Sequence, residues 1–205
     1  MKRPAKQLLF FIIVIMISCT AGAQQFKLAI NYNAATPIGS SFRDYVSKTS
    51  LRGFQGSVLY SLNDNFRVGL QASYNDFYHK FGRQVYKTTD GADISTVLSN
   101  TMQTIPLLAK GEYSFTKNGR IRPYIGLGAG INFINYDQYL GEFEYYKTYA
   151  KASFSGDLGV LVPFGNNSQY GFRLSTSYNL TPFKEEGIEN IDTWNVQAGV
   201  VIPLK

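Results

Sequence analysis

The chain has little of the chemistry that most enzymes and metalloproteins use. It contains one cysteine and one histidine in 205 residues. Cys19 lies in an N-terminal segment that we expect to be removed, which leaves no thiol for a disulfide or a thiolate metal site. His79 alone cannot form a multi-histidine metal site, and no nucleophile motif accompanies it. We therefore predict no catalytic, cofactor-binding or metal-binding residues, and a protein that is not an enzyme.

After residue 23 the chain also lacks any run of 18 apolar residues, the length that a membrane-spanning helix requires. The segment 1–23 has instead the pattern of a cleavable export signal, and 24–205 is the expected mature domain. A lipid-modified Cys19 is the alternative, which its flanking residues fit poorly. The signal consists of three cations (Lys2, Arg3 and Lys6), an apolar run over 8–17 and the A-x-A cleavage site Ala21-Gly22-Ala23.

Net charge gives no indication of a nucleic-acid partner. The chain has 20 basic and 14 acidic residues, and three of the basic ones belong to the predicted signal. The remaining 17 basic residues exceed the acidic ones only slightly. The high isoelectric point therefore does not indicate nucleic-acid binding.

Alternation of apolar and polar residues is the main pattern of the chain. In the last segment, apolar side chains occupy every second position from Trp194 to Leu204, as on a strand with one apolar face. Similar segments recur, and a tilted membrane strand needs about 9–11 residues. With the export signal they predict an all-β fold, an eight-stranded antiparallel up-and-down transmembrane β-barrel. The segments are roughly 26–34, 52–62, 66–76, 102–115, 121–134, 149–164, 169–180 and 193–204.

The connections between these segments alternate in length. Short connections rich in Asn, Asp and Gly favour tight turns, and longer ones lie between them. An up-and-down barrel has short turns at one rim and long loops at the other, so we expect both termini at the short-turn rim, facing the periplasm. The short connections are 63–65, 116–119 and 165–168, and the long ones are 35–51, 77–101, 135–148 and 181–192.

Alternation alone does not tell which face of the barrel points inward. An eight-stranded barrel has room only for its own packed side chains, so the bulky apolar set must face lipid and the small polar set the lumen. Five charged residues then point inward. They fit a buried salt-bridge network, which we favour, or a narrow ion or proton path. These residues are Arg67, Lys110, Glu112, Asp157 and Arg173.

Residues of the long connections offer further candidates. His79 starts the longest connection and could act as a general base on outer-membrane lipid, or be a solvated rim residue, which we favour. Lys80, Arg83 and Lys87 follow it and could meet phosphates of outer-leaflet lipid. Acidic residues could hold a divalent cation, although their spacing matches no calcium loop and favours solvated loops. They are Glu142, Glu144, Glu185, Glu186, Glu189 and Asp192.

Two adjacent segments resemble a known family. Residues 104–110 (Thr-Ile-Pro-Leu-Leu-Ala-Lys), a tight turn, and residues 122–130 (Arg-Pro-Tyr-Ile-Gly-Leu-Gly-Ala-Gly) resemble the outer-membrane β-barrel family common in Bacteroidetes. That family includes PorT-like proteins and is similar in architecture to the OmpA and OmpX barrels. The resemblance implies an eight-stranded barrel in the outer membrane. It implies no single activity, although PorT-like members are linked to protein secretion.

Three functional hypotheses follow from these observations. The first is a non-enzymatic outer-membrane barrel that serves as an envelope scaffold or interaction protein. An accessory role in secretion is one form of this hypothesis. Its partners would be outer-membrane lipid and an envelope protein bound through the long loops, and the barrel would be a monomer. The alternatives are an outer-membrane lipid-modifying enzyme that uses His79, and a narrow small-solute channel.

Overall fold

The structure is a computed structural model that describes residues 26–87, 93–117, 119–141, 143–165 and 168–204. The predicted signal peptide and Cys19 lie outside these residues and stay predictions. Eight strands form one closed antiparallel barrel, in which the first and last strands pair, so the predicted eight-stranded fold is confirmed. The barrel strands are β1 (Phe26–Pro37), β2 (Ser50–Ser61), β3 (Phe66–Lys80), β6 (Leu98–Ser114), β7 (Arg122–Leu140), β8 (Phe143–Pro163), β9 (Gly171–Leu180) and β12 (Thr193–Pro203).

Small elements lie within three of the connections. The first contains helix α1, and two others fold into two-stranded hairpins, β4–β5 and β10–β11. No helix in the described ranges is long and apolar enough to cross a membrane. The bounds are α1 (Ser40–Tyr45), β4 (Gln84–Lys87), β5 (Asp93–Thr96), β10 (Pro182–Glu185) and β11 (Ile188–Asn190).

Burial alternates along the barrel strands as the sequence predicts. Apolar side chains such as Leu70 and Leu127 point outward and are 69% and 72% exposed, whereas Glu112 points inward and is fully buried. The tight turn between β2 and β3 is held by Asn63, whose Oδ1 accepts hydrogen bonds from the backbone N–H groups of Asn65 and Phe66 at 2.9 and 2.8 Å. The side-chain oxygen thus satisfies two backbone N–H groups of the turn that leads into β3.

The prediction of a long loop over 135–148 is wrong. β7 runs on to Leu140 and β8 begins at Phe143, and Gly141 turns the chain with a φ of 65°. The segment is rich in tyrosine, a good strand former. Its polar residues lie on the parts of β7 and β8 that extend beyond the apolar belt. The alternation continues there with polar side chains on both faces, a pattern that in sequence is the same as that of a loop.

Extension of the neighbouring strands makes the barrel taller on one side. Strands β3, β6, β7 and β8 have 15, 17, 19 and 21 residues, against 10 to 12 in the other four. A tilted strand needs about 9–11 residues to cross a membrane, so the four long strands project beyond the apolar belt. We call this projecting sheet the tall wall; it comprises residues 75–80, 98–104, 134–140 and 143–153.

Candidate functional site

The five predicted inward charges meet in one buried layer of the lumen near the short turns. Glu112 is its centre: Lys110 Nζ lies 3.3 Å from Oε1 and Arg67 Nη2 lies 3.6 Å from Oε2. Arg173 donates to both carboxylate oxygens of Glu112. Asp157 Oδ2 lies 3.2 Å from Lys110 Nζ and 3.9 Å from Arg173 Nη2. The predicted network of buried ion pairs is therefore present.

A glycine on β7 makes room for this layer of charged side chains. Gly126 pairs across the sheet with Glu112 on one side and with Asp157 on the other. A Cβ at position 126 would lie 2.5 Å from Asp157 Oδ2, so the carboxylate uses the space of the missing side chain. Next to it, the Tyr124 ring lies 4.2 Å from the guanidinium carbon of Arg173, a cation–π contact. Gly126 on β7 thus leaves the volume that the charge layer occupies.

Neutral polar side chains fill the lumen between the charge layer and the long-loop end. The Asn31 amide donates to Gln55 Oε1 at 2.8 Å, and the Asn33 amide donates to Asn75 Oδ1 at 2.6 Å. The hydroxyl of Thr181 donates to Ser153 Oγ at 2.9 Å. Side chains from different segments of the barrel thus meet directly in this part of the lumen.

The long-loop end of the lumen is closed by an apolar core, which we call the cap. Helix α1 and the β10–β11 hairpin fold inward onto apolar residues of the wall. Phe42 of α1 meets Phe77 edge-to-face at 5.3 Å between ring centroids, and Tyr45 stacks on Tyr136 at 4.5 Å. The core consists of Ala35, Phe42, Tyr45, Val46, Phe77, Met102, Ile134, Tyr136, Phe183, Ile188 and Ile191.

The cap is not among the features predicted from the sequence, although the sequence contains a signal for it. Phe77, Met102 and Ile134 occupy inward positions that continue polar faces of their strands. Apolar side chains at these positions can be shielded from water only by other chain segments that fold into the mouth of the barrel. Two of the four long connections thus close the lumen and are not free loops.

Glu186 fastens the β10–β11 hairpin to the tall wall. Its Oε1 accepts hydrogen bonds from Lys147 Nζ and Tyr149 OH at 2.8 Å each, and from Tyr145 OH at 3.2 Å. The hydrogen bond from Lys147 lowers the pKa of Glu186 and raises that of Lys147. Burial, together with the same carboxylate, raises the pKa of Tyr149 to about 12. Glu186 itself has a φ of 52°, a strained conformation for this residue type, so the contacts must outweigh that strain.

The two lateral edges of the tall wall differ. The edge of β3 is covered, because Ser50 Oγ donates to the Asp76 carbonyl at 2.6 Å. β9 leaves the edge of β8 at Leu180, which pairs with Phe154. Pro182 follows and has no N–H with which to continue the ladder. Over residues 143–153, β8 pairs with β7 alone among the strands of the described chain. The backbone edge of β8 over 143–153 is therefore open to strand pairing, although the β10–β11 hairpin contacts its inner face through Glu185 and Glu186.

His79 lies at the covered edge and contacts a serine. Its Nδ1 accepts the backbone N–H of Ser47 at 3.3 Å and lies 3.0 Å from Ser47 Oγ. The imidazole stacks on Phe81 at 4.3 Å between ring centroids. The structure thus pairs His79 with a hydroxyl that the sequence did not single out.

The acidic residues of the long connections are used in local contacts. Glu185 pairs with Lys151 at 2.8 Å, Glu144 accepts the Tyr139 hydroxyl at 2.8 Å, and Asp192 accepts that of Tyr178 at 3.1 Å. Glu142 lies outside the described residues. Within the described parts of the chain, no three His, Cys, Asp or Glu side chains converge as a metal site would require. Three of these acidic residues, Glu185, Glu186 and Asp192, thus bind side chains of the barrel strands.

Comparison with known proteins bears on the family and the fold. The family described as outer membrane protein beta-barrel domain matches residues 8–202. Neisserial surface protein A (NspA) is similar in structure, with a TM-score of 0.59 and 16% identity over 88% of this chain and 97% of that one. Ail of Yersinia pestis gives a TM-score of 0.46 and 16% identity, over 86% and 96% of the two chains. The N-terminal domain of OprF from Pseudomonas aeruginosa gives 0.42 and 15%, over 85% and 95%. The search of curated proteins finds no match.

Proposed function

The chain belongs to the family of outer-membrane β-barrel domains, and on that premise we propose that it is a non-enzymatic interaction protein of the outer membrane. The exposed apolar belt then faces lipid. The short turns and both termini face the periplasm, and the tall wall projects outside the cell, as the asymmetry of such barrels implies. The barrel would act as a monomer.

The closed lumen is the observation that carries this proposal. Buried ion pairs around Glu112 fill one end, and the cap fills the other. A filled lumen is a poor solute path, and the belt is committed to lipid. The surface left for recognition is the tall wall, since rigid scaffolds present their binding residues beyond the part that anchors them.

The open edge of β8 suggests how a partner would bind. Unpaired backbone groups along residues 143–153 can add an extended strand, which would continue the ladder that β9 forms below Phe154. Strand addition of this kind obtains affinity from backbone hydrogen bonds and specificity from alternate side chains. The partner is therefore an extended segment of an envelope or secreted protein. A role in secretion, as for PorT-like proteins, is one form of this function.

A photo-reactive amino acid placed along β8 in native cells tests the proposal. By alternation with the buried Ser153, side chains at 146 and 148 lie on the outer face of the sheet and 145 lies on the inner face, where the Tyr145 hydroxyl donates to Glu186. A strand paired at the edge should cross-link from both faces to the same protein. The control is position 127, where Leu127 lies in the apolar belt. Equal yields at 127 and 148, or no cross-linked protein from 145, 146 and 148, would refute strand addition.

An enzyme is the second candidate, because Ser47 Oγ lies 3.0 Å from His79 Nδ1. A nucleophile and base at this distance are the minimum for acyl transfer. The backbone N–H of Ser47 binds the same nitrogen, which is how a serine anchors a loop. We expect purified protein to leave the acyl chains of lipid A and phospholipid intact. Acyl release that disappears in both Ser47→Ala and His79→Ala would establish the enzyme instead.

A further inference from the structure

Cationic side chains outnumber carboxylates at the short-turn end of the lumen. Among the described residues, Glu112 and Asp157 are the carboxylates that point inward in this region, and their ion pairs go to Arg67, Lys110 and Arg173. Two further cations point inward closer to the short turns. They are Lys27 and Arg122, and neither has a carboxylate within 4.0 Å in the described part of the chain. Arg122 Nε donates to the Gly119 carbonyl of the preceding turn at 3.4 Å, which leaves its two Nη groups for a ligand.

Three of these cations lie on the inward faces of their strands at the short-turn end of the lumen. Lys27 is on β1, Arg67 on β3 and Arg122 on β7, at positions whose strand neighbours of the same face are buried. An eight-stranded barrel is narrow, so inward side chains at the same end of its lumen lie close together. Lys27 and Arg122 are half-buried at the opening, and Arg67 is 8% exposed beneath them.

Arg67 has donor capacity that the protein does not use. Its Nη2 donates to Ser114 Oγ at 2.5 Å and lies 3.6 Å from Glu112 Oε2. Its Nε is buried and has no hydrogen-bond partner. A buried N–H without an acceptor is unfavourable, and more so among like charges. A bound anion would accept a hydrogen bond from this N–H group and would also reduce the repulsion among the cations.

We propose that the short-turn mouth of the lumen binds a tetrahedral oxyanion of the phosphate class between Lys27, Arg67 and Arg122. The planar guanidinium groups of the two arginines match the oxygen spacing of phosphate, and lysine adds a point charge. The site opens toward the aqueous side of the short turns and is enclosed by the barrel wall. The ligand could be free phosphate, a soluble phosphate ester or a lipid headgroup, since all share this chemistry. The proposal does not depend on the partner at β8.

Thermal unfolding of the folded barrel in zwitterionic micelles tests the site, with inorganic phosphate as the probe. Binding to the folded state raises the melting temperature, so phosphate should raise it more than chloride at equal ionic strength. Lys27→Gln and Arg122→Gln should each weaken phosphate affinity at least tenfold in a ³¹P titration. Arg120→Gln is the matched control, because Arg120 is exposed in the preceding turn, and it should respond as the parent does.

The variant Arg122→Lys distinguishes a loss of phosphate binding from a loss of folding. It keeps the charge and should recover part of the phosphate response that Arg122→Gln loses. Nanodiscs of phosphatidylcholine and of phosphatidylglycerol separate the sources: loss of the response in the anionic lipid assigns the site to a headgroup, and a response in both assigns it to soluble phosphate. Phosphate that stabilises no more than chloride, or stabilises all variants equally, would refute the site.

Discussion

Asp157 occupies the space that a side chain at Gly126 would need. The two residues are direct partners across the β7–β8 ladder, and a Cβ at 126 would lie 2.5 Å from Asp157 Oδ2 and 2.9 Å from its Cγ. Lys110 holds the same carboxylate oxygen from the other side at 3.2 Å. The absence of a side chain on β7 is thus part of the charge layer.

Gly126→Ala should therefore destabilise the barrel. The new methyl group forces Asp157 away from Lys110, and overpacking of this kind costs about 1–3 kcal/mol. Urea unfolding in micelles, followed by the mobility shift between folded and unfolded barrel, measures the free energy of unfolding. Gly156→Ala is the control, because a Cβ there meets only Leu127 Cδ2 at 3.8 Å on the outer face. Equal stability of the two variants would show that Asp157 moves without cost.

Glu112→Ala should be more damaging than any change at the surface. It leaves Arg67, Lys110 and Arg173 without their common carboxylate, and removal of one partner from a buried pair costs about 3–5 kcal/mol. The comparison is Asp64→Ala, which breaks the exposed 2.8 Å pair with Lys117 and should change unfolding little. If Glu112→Ala unfolds at the urea concentration of the parent, water already compensates the three cations.

Spin labels test the orientation of the two faces. Labels that replace Leu127 and Val200 should report a lipid environment, because both side chains lie on the exposed apolar face. A label that replaces Ser175 should not, because Ser175 is buried in the lumen, where its hydroxyl donates to Gln197 Oε1 at 2.8 Å. Accessibility to oxygen and to a water-soluble nickel complex separates the two environments. The opposite pattern would mean a soluble barrel with an apolar interior.

The fold was predictable from the sequence because membrane strands obey a strict pattern. Lipid requires one apolar face, and a narrow barrel requires the other to be small or polar. Residues such as Leu127 and Ser175 could therefore be placed on opposite faces before any coordinates, and the inward charges followed from the same alternation. The five charges could be assigned to one network because a lumen this narrow brings all inward residues close together.

Strand ends and the cap were not predictable in this way. Above the apolar belt the outer face becomes polar, so Tyr139 and Tyr146 gave the pattern of a loop although they continue two strands. The cap depends on contacts between distant segments, such as Phe42 with Phe77, and alternation within one strand carries no information about them. The contact of Ser47 with His79 is of the same kind.

The pH dependence of the cap follows from the lowered pKa of Glu186. An unperturbed glutamate has a pKa of 4.5, and the hydrogen bond from Lys147 holds that of Glu186 below it. The stabilisation is therefore complete above 4.5 and is lost as the pH falls through the lowered, folded-state value. A carbon-detected NMR titration of the Glu186 carboxyl should give a midpoint below 4.5, with signals of Phe183 changing in parallel. Lys147→Met should raise the midpoint, and a midpoint unaffected by it would contradict the clamp.

Electrical recording from the purified barrel in a planar bilayer tests the central claim, a closed lumen, most directly. The parent should show no steady conductance steps, because the cap closes one end and the ion pairs around Glu112 close the other. Replacement of residues 182–190 by a short Gly-Ser linker should remove the hairpin part of the cap, with Phe183 and Ile188, and still leave the barrel silent, since the charge layer remains. Steady, ion-selective steps from the parent barrel would contradict the account and establish a channel.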